Sequence, residues 1–515
     1  MSIPVLFAFI ISYGVSIFAT ILLFALRWAN RRFPMHDRYA VFFVCDSNTK
    51  GNDTDTFRSF RSGVLVPALA AYAAVMLIVF SVERICRARG KPFAVIFTDI
   101  RFFLPASFIY LFLAGVVVAV VLKAWQYVAL FYEVHKKPTY SEFYEKNYVL
   151  PENAKITFPK IKRNLVVILM ESMESSYASV EEGGVFEQNL IPQLTSLAKH
   201  HINFSGTEKF GGGMNVAGTT WTCAGMISKL CGLPYFSPFC KERGNRTCLA
   251  HATCLTDILK ANGYNCVFSL GSDKRFENRD VFLENHGVQI HDIAWYKAHG
   301  YIPRQYQIFW GFEDDKLFAI AKNELTALGK KETPFFYGML TVDTHFPDGY
   351  KCSQCPTVDK RQIMNVIRCA DAHIFALIEW MKVQSWWNNT TVVIMGDHNY
   401  LDAPKHNFIV EESPLADAHT RRAWLNIIVN SSKNVSQDIQ KNRRFCSYDM
   451  FPTMLESIGC SIEGGALAFG RSLYSGMPTL AEQYGAETLA KELMQRTVQY
   501  ERLKFKMRTT IACAF

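Results

Sequence analysis

Three short hydrophobic runs in this chain lead straight into residues that could bind a metal. Leu165–Met170 ends in Glu171, and Thr391–Met395 is followed by Gly396-Asp397-His398. Phe335–Val342 leads to Asp343 and His345. Glu171, Asp397 and His398 offer two carboxylates and an imidazole, a donor set that suits Mn²⁺ or Zn²⁺ better than Ca²⁺, which prefers an all-oxygen shell. A hydroxyl-rich turn, Gly218-Thr219-Thr220-Trp221-Thr222-Cys223-Ala224-Gly225-Met226, enters an apolar helical segment. There Thr219 can sit near a helix N-terminus, where backbone N–H groups and the dipole favour an anionic phosphate. A threonine hydroxyl is a weak nucleophile until a metal or base lowers its pKa. Taken singly each residue has a plainer reading: an Asp after a strand or a Thr before a helix is commonly a cap.

The elements that must hold these residues follow an α/β pattern. Short β-branched runs at Leu165–Met170, Cys266–Leu270, Phe335–Val342, Thr391–Met395 and Trp424–Val429 alternate with helix-like segments, as in a mostly parallel sheet flanked by helices. Ligands of such sheets bind beyond the carboxyl ends of the strands, which is where the polar residues fall. Gly211-Gly212-Gly213 reads as a flexible loop, since it does not have the form of a dinucleotide fingerprint. Thr479 to Lys506 reads as a charged, amphipathic helical segment on the outside of the domain.

Half of the 515 residues are hydrophobic and only 20% are charged, too apolar for a typical soluble enzyme and far from a disordered chain. The net charge of +9 is dispersed rather than concentrated in basic blocks with interleaved aromatics, so nucleic-acid binding is not expected. The apolar excess lies at the front. Ser2–Leu26, Ser62–Val82 and Phe102–Leu122 are uncharged and reach the ~20 residues of a membrane-spanning helix. Both connections between them are basic, so the positive-inside rule does not orient them. Twelve of the 14 cysteines follow residue 220, with close pairs Cys223/Cys231, Cys240/Cys248 and Cys352/Cys355. Such clustering points to disulfides in an oxidising compartment, and only Cys352-Ser-Gln-Cys355 has zinc-type CxxC spacing. The organisation expected is three transmembrane helices in 1–123, an aromatic amphipathic linker over 124–163, a catalytic domain over 164–478 outside the membrane, and a helical extension over 479–515.

Glu171-Ser172, the Gly218–Met226 turn, the Thr341-Val342-Asp343-Thr344-His345-Phe346-Pro347-Asp348-Gly349 run and Gly396-Asp397-His398 occur in that order. Together they resemble the phosphoglycerol transferase I and lipoteichoic acid synthase branch of the alkaline phosphatase/sulfatase superfamily, over residues 140 to 475. The resemblance implies a sulfatase-like α/β domain. It makes Thr219 the nucleophile, chosen over Thr220 and Thr222 by motif register alone, on a metal held by Glu171, Asp397 and His398. His345 falls on the substrate-binding histidine beside the metal, with the task of holding phosphoryl oxygens or passing a proton. Arg279, in Arg275-Phe276-Glu277-Asn278-Arg279-Asp280, falls on a phosphate-contacting arginine, with an ion pair to Asp280 as its structural alternative. Trp310, in Trp310-Gly311-Phe312-Glu313-Asp314-Asp315, is read as core packing with substrate contact as the alternative.

The resemblance also implies a Cys231–Cys254 bridge and a divalent cofactor, Mn²⁺ first and Zn²⁺ or Mg²⁺ next. The implied reaction carries glycerol phosphate from phosphatidylglycerol to an envelope glycan, at the bacterial cytoplasmic membrane on its extracytoplasmic side. Alternatives are phosphoethanolamine transfer, a phosphodiesterase or phosphatase, and a non-catalytic binding platform. Glu277 stands where the lipoteichoic acid synthases have tryptophan, a change that suits an amine headgroup. Sulfatase activity is disfavoured, because Cys223-Ala224-Gly225-Met226 lacks the proline and arginine of a formylglycine motif.

Overall fold

The computed structural model describes residues 18, 20–28, 58, 60–90, 137–235, 241–242, 245–246, 248–401 and 407–504. Contacts divide the chain into an N-terminal unit, within residues 1–136, and a second unit from Lys137 onward. In the N-terminal unit a π-type turn, Arg61–Leu65, runs into a helix, Val66–Ala88, whose last turns carry Glu83, Arg84 and Arg87. Among the described residues no helix is long and apolar enough to cross a membrane. Most of the expected first span and all of the third lie outside the described residues.

The second unit is built on a seven-stranded sheet. Its strands are β1 Asn164–Met170, β2 Gly212–Gly213, β3 Asn265–Leu270, β4 Gln289–His291, β5 Phe335–Leu340, β6 Thr390–Gly396 and β7 Trp424–Val429. The spatial order is β2-β7-β6-β1-β5-β3-β4. From β6 to β4 every pairing is parallel, and β7 runs antiparallel to both β6 and β2. β1 and β6 lie mid-sheet and are buried at every position, as an aliphatic run covered on both faces must be. Val166, Ile168 and Met170 enter one cluster with Leu317, Phe318, Ile363, Ile367 and Ile374. Those last five lie on helices α3 (Asp314–Gly329) and α4 (Gln362–Lys382). Leu165, Val167 and Leu169 are buried on the opposite face. Helices α1 (Pro192–His200), α2 (Thr222–Cys231) and α5 (Met450–Ser457) complete the layers used below.

All five expected strands form, Trp424–Val429 with the expected ends and the others with ends moved by one or two residues. Two more appear. β4 has only three residues and no apolar run to announce it. The Gly211–Gly213 stretch, expected as a flexible loop, instead supplies the edge strand β2. A side chain at Gly212 would come within 1.8 Å of the Trp424 carbonyl oxygen, and one at Gly213 within 2.1 Å of the Trp424 ring. Glycine is therefore what lets this strand lie against β7. The described part of the C-terminal segment is three short helices, Leu480–Tyr484, Ala486–Leu493 and Val498–Lys504, interrupted at Gly485 with φ of +77°. The described part of the aromatic segment before β1 packs on this unit: Tyr144 meets Phe469 at 4.8 Å between ring centres, and Phe143 meets Tyr484 at 5.2 Å.

The edge pairing gives a test. Gly212→Val should lower stability by about 1–3 kcal/mol through overpacking, read by urea unfolding. A change within about 0.5 kcal/mol, the range of ordinary surface substitutions, would mean that β2 does not lie against Trp424 as described.

Candidate active site

Four adjacent parallel strands, β6, β1, β5 and β3, point their carboxyl ends to one edge of the sheet, and the expected residues follow them. Met170 of β1 pairs with Gly396 of β6, so Glu171 and Asp397 leave the sheet side by side, and the Asp397 N–H donates to Met170 O at 3.1 Å. The chain turns at once at Ser172, φ +52°. The turn aims the Ser172 N–H at Asp397 Oδ1 (2.7 Å) and its hydroxyl at Glu171 Oε1 (2.7 Å). Asp397 Oδ1 also accepts the His398 N–H at 2.7 Å, whereas Oδ2 is buried with no hydrogen-bond partner.

His398 completes the group. Its Nδ1 lies 2.6 Å from Asn399 O, which can only accept, so Nδ1 carries a proton and Nε2 is the nitrogen that faces the cluster. That nitrogen is 3.5 Å from Glu171 Oε1 and 3.5 Å from Asp397 Oδ2. One ligand atom from each of the three residues lies within 4.8 Å of the other two. Burial alone would raise the Glu171 carboxyl, but His345 and His398 hold it below the usual range. Burial, then the charge of Glu171, pushes Asp397 up to about 7. Burial would lower His398, yet Asp397 and Glu171 carry it up to about 9. Two buried carboxyl groups, one with an orphaned oxygen, facing an imidazole nitrogen fit a divalent cation such as Zn²⁺ or Mn²⁺, which would displace the proton from that nitrogen.

The hydroxyl that meets this group belongs to Thr222. Its Oγ1 donates to Glu171 Oε2 at 3.0 Å and stands 3.3 Å from His398 Nε2. Thr219, expected in that place, is fully buried in the preceding turn, where its hydroxyl donates to Val216 O at 2.8 Å and accepts from Val216 N at 3.1 Å. The reason is where the helix starts. Trp221 is extended (φ −139°, ψ 164°) and caps α2, so Thr222 is the first helical residue and Thr219 lies before it in a local turn.

Helix α2 reaches the cluster through one face. Thr222, Gly225 and Lys229 fall at i, i+3 and i+7. A side chain at Gly225 would come within 2.0 Å of the Asp397 carbonyl oxygen. Lys229 is fully buried, donates to that oxygen at 2.6 Å and to Ser447 Oγ at 3.0 Å, and lies over the Trp424 ring at 4.3 Å. Burial lowers its pKa to about 7, against the pull of Asp397. Residues 163–460, more than half of the chain, match the Sulfatase family model. The chain belongs to the Sulfatase family.

Relatives of this Sulfatase-family chain include phosphoglycerol transferase I of Escherichia fergusonii, 33% identical over 254 residues, and that of Salmonella typhimurium, 34% identical over the same length. Each match covers 47% of this chain and 32% of the relative, so the chain spans about a third of the length of these curated relatives. Among solved structures, an alkaline phosphatase superfamily protein from Vibrio parahaemolyticus aligns with TM-score 0.44 and 21% identity, over 59% of this chain and 68% of that one. A lipoteichoic acid synthase from Listeria monocytogenes aligns with TM-score 0.46 and 15% identity, over 63% and 79%.

The remaining expected residues of this Sulfatase-family site line the same edge. His345 Nδ1 donates to Phe346 O at 2.8 Å, and its ring lies 4.6 Å from that of Trp310, which in turn meets Phe276 at 5.1 Å. Trp310 is therefore a wall between the His345 loop and the Arg279 loop; its buried Nε1 has no hydrogen-bond partner. The buried Arg279 spends its guanidinium on Phe276 O (3.1 Å), Ser272 Oγ (3.1 Å) and Asp273 O (3.0 Å).

Glu277 is the residue that sequence reasoning undervalued. Buried, with φ of +59°, it accepts the Cys223 N–H of α2 at 3.0 Å. Burial pushes its pKa up to about 8, with Arg279 pulling the other way. The expected Cys231–Cys254 disulfide is present and ties the C-terminus of α2 to the residue before the next helix. Of the close cysteine pairs, Cys223/Cys231 does not bridge, because Cys231 is taken by Cys254, and Cys352 and Cys355 are free thiols; the Cys240/Cys248 pair includes Cys240, which lies outside the described residues.

Lys229 gives the test of this arrangement. Removing its ammonium frees the Asp397 backbone that presents the carboxylate. Lys229→Met should weaken Mn²⁺ or Zn²⁺ binding by about 10–100-fold, the usual effect of losing an outer support, measured by calorimetric titration. Unchanged affinity in a folded variant would reduce Lys229 to a packing residue.

Proposed function

We propose that this chain is a membrane-anchored phosphoglycerol transferase that moves glycerol phosphate from phosphatidylglycerol to an extracytoplasmic envelope glycan, with Thr222 as its nucleophile. The observation that carries the reading is the half-buried Thr222 hydroxyl at the start of α2, hydrogen-bonded to Glu171 and facing His398 Nε2. The donor lipid is supported by the relatives named phosphoglycerol transferase I. The uncharged N-terminal stretches support anchoring at the bacterial cytoplasmic membrane, with the catalytic unit on the outer side.

Glu171, Asp397, His398 and Thr222 would hold the cation, Mn²⁺ first. When bound, it supplies Lewis acidity that lowers the hydroxyl pKa and balances charge on the phosphoryl oxygens. Thr222 Oγ1 attacks phosphorus as the bond to the diacylglycerol oxygen breaks, leaving a glycerophosphoryl group on Thr222. The Thr222 proton has Glu171 Oε2 as its nearest acceptor. His345, whose Nδ1 is anchored on Phe346 O, uses Nε2 to protonate the departing oxygen and later to take the proton of the sugar hydroxyl. Arg279 and Trp310 form the wall on the donor side. Transfer to the glycan then restores Thr222.

Phosphoethanolamine transfer would use the same nucleophile. The residue that suggested an amine, Glu277, already has a carboxylate oxygen engaged by the Cys223 N–H, which favours the phosphoglycerol reading.

Mass spectrometry after incubation with Mn²⁺ and either phosphatidylglycerol or phosphatidylethanolamine tests donor and nucleophile together. A glycerophosphoryl increment on the Thr222 peptide is expected with the first lipid, lost in Thr222→Ala and kept in Thr219→Ala. An increment only with the second lipid transfers the reading to phosphoethanolamine, and an adduct surviving in Thr222→Ala sinks the nucleophile. Separately, His345→Gln should slow lipid turnover by about 10²–10⁴-fold, the range for a lost general acid–base, while calorimetry shows metal affinity unchanged. An equal loss of both would make His345 a support of the metal site instead.

A further inference from the structure

A second cluster of metal-binding side chains lies outside this site, at the start of α4. Cys352 and Cys355 sit on the segment between β5 and α4, and Cys369 and His373 sit at i and i+4 on α4, so their side chains share one helix face. Cys352 Sγ is 3.5 Å from Cys355 Sγ and 3.8 Å from Cys369 Sγ. His373 Nε2 is 3.5 Å from Cys369 Sγ and 3.9 Å from Cys352 Sγ. The three sulfur atoms all lie within 4.8 Å of one another. The His373 ring is stacked on Phe318 of α3, 5.6 Å between centres, which fixes its direction.

These four sulfur–sulfur and sulfur–nitrogen distances match edges of a tetrahedron around zinc. Bonds of about 2.3 Å to sulfur and 2.0–2.1 Å to nitrogen place neighbouring sulfurs about 3.8 Å apart and sulfur and nitrogen about 3.6 Å apart. The spacing C-x₂-C followed by C-x₃-H is that of a structural three-cysteine, one-histidine site. A disulfide accounts for the group less well. All three cysteines are free thiols, and any bridge between two of them leaves the third sulfur facing the imidazole alone. Cys352 and Cys369 are buried while Cys355 and His373 are partly exposed, so the group is dry on one side and open to ion entry on the other.

We propose that Cys352, Cys355, Cys369 and His373 bind a structural Zn²⁺ ion. Four protein ligands would close the coordination shell, giving the ion a structural rather than a catalytic task. Its position defines that task. The segment it would fasten to α4 begins with Asp343 and His345, and Tyr350 within it stacks on Phe309 at 5.9 Å. A zinc ion here would staple the His345 loop to a helix anchored in the core by Ile363, Ile367 and Ile374. The inference rests on these four side chains alone and is independent of the transfer reaction.

The test uses the full chain loaded with Co²⁺ in place of Zn²⁺. Thiolate-to-cobalt charge transfer and the intense visible bands of a tetrahedral ion are expected in the unaltered protein and in Asp397→Asn, where the carboxylate cluster is disabled. They should vanish in Cys355→Ser and Cys369→Ser. Because those variants can misfold, alkylation of the unaltered protein provides a second measurement. Zinc should protect Cys352, Cys355 and Cys369 from iodoacetamide, and a chelator should expose them. Absence of the thiolate bands, loss of the bands in Asp397→Asn but not in the cysteine variants, or a mass-mapped disulfide within the trio would each overturn the proposal.

Discussion

The site depends on one alignment, the pairing of Met170 with Gly396 in adjacent parallel strands. Because β1 and β6 end level, the next residue of each is a carboxylate, and the two arrive together with no side chain between them. The pairing is held from below by two fully buried aliphatic strands, so a slip would turn every side chain to the other face of the sheet. Bringing like charges together is unfavourable, and the strand ends offset it locally: Asp397 Oδ1 takes two backbone amides and Glu171 takes the Ser172 hydroxyl. Only Asp397 Oδ2 is left over, directed at the His398 side of the cluster.

The second constraint is how closely α2 can approach. Gly225 removes the Cβ that would strike Asp397 O, and Lys229 fills the next turn with a buried ammonium bonded to the same oxygen. One carbonyl therefore fixes the height of the helix, and the height of the helix fixes where Thr222 lies. Cys231–Cys254 secures the far end, and Glu277 grips the near end through the Cys223 N–H. Thr222 and the cluster are held by rigid elements, as a preorganised site requires.

Much of this was legible in the chain itself. The strands were readable because buried parallel strands are nearly pure aliphatic runs, and Glu171, Asp397 and His398 were readable because they abut them. That the Thr222 hydroxyl rather than that of Thr219 meets the cluster was not legible, because motif register does not say where a helix begins; an extended Trp221 puts the first helical turn three residues later than Thr219. A local signal did exist, the stripe Thr222, Gly225, Lys229, which joins a hydroxyl, a missing side chain and an out-of-place cation on one helix face. The edge strand of glycines was missed because its formation depends on Trp424, more than two hundred residues away. The pair Cys223/Cys231 misled for the same reason. Cys231 finds Cys254, and Cys352, beside its chain neighbour Cys355, also finds Cys369 and His373 on α4.

The choice between Thr222 and its neighbour Cys223 shows how finely the helix start decides chemistry. A thiol is intrinsically the better nucleophile at neutral pH, and Cys223 is one residue away. Successive residues on a helix diverge by about 100°, however, and only one of the two can face the cluster. Cys223 is turned inward, fully buried, with its sulfur donating to Glu277 O at 3.5 Å. Thr222 keeps partial exposure and meets Glu171 and His398. A one-residue shift of the cap at Trp221 would exchange them, putting a soft sulfur against an oxygen- and nitrogen-rich cluster that matches a hydroxyl better. The contact between Gly225 and Asp397 O forbids that shift, since rotating the helix by one residue would bring the side chain of Ala224 or Met226 against the carbonyl. The residue that decides which side chain meets the cluster is thus the glycine three positions further on.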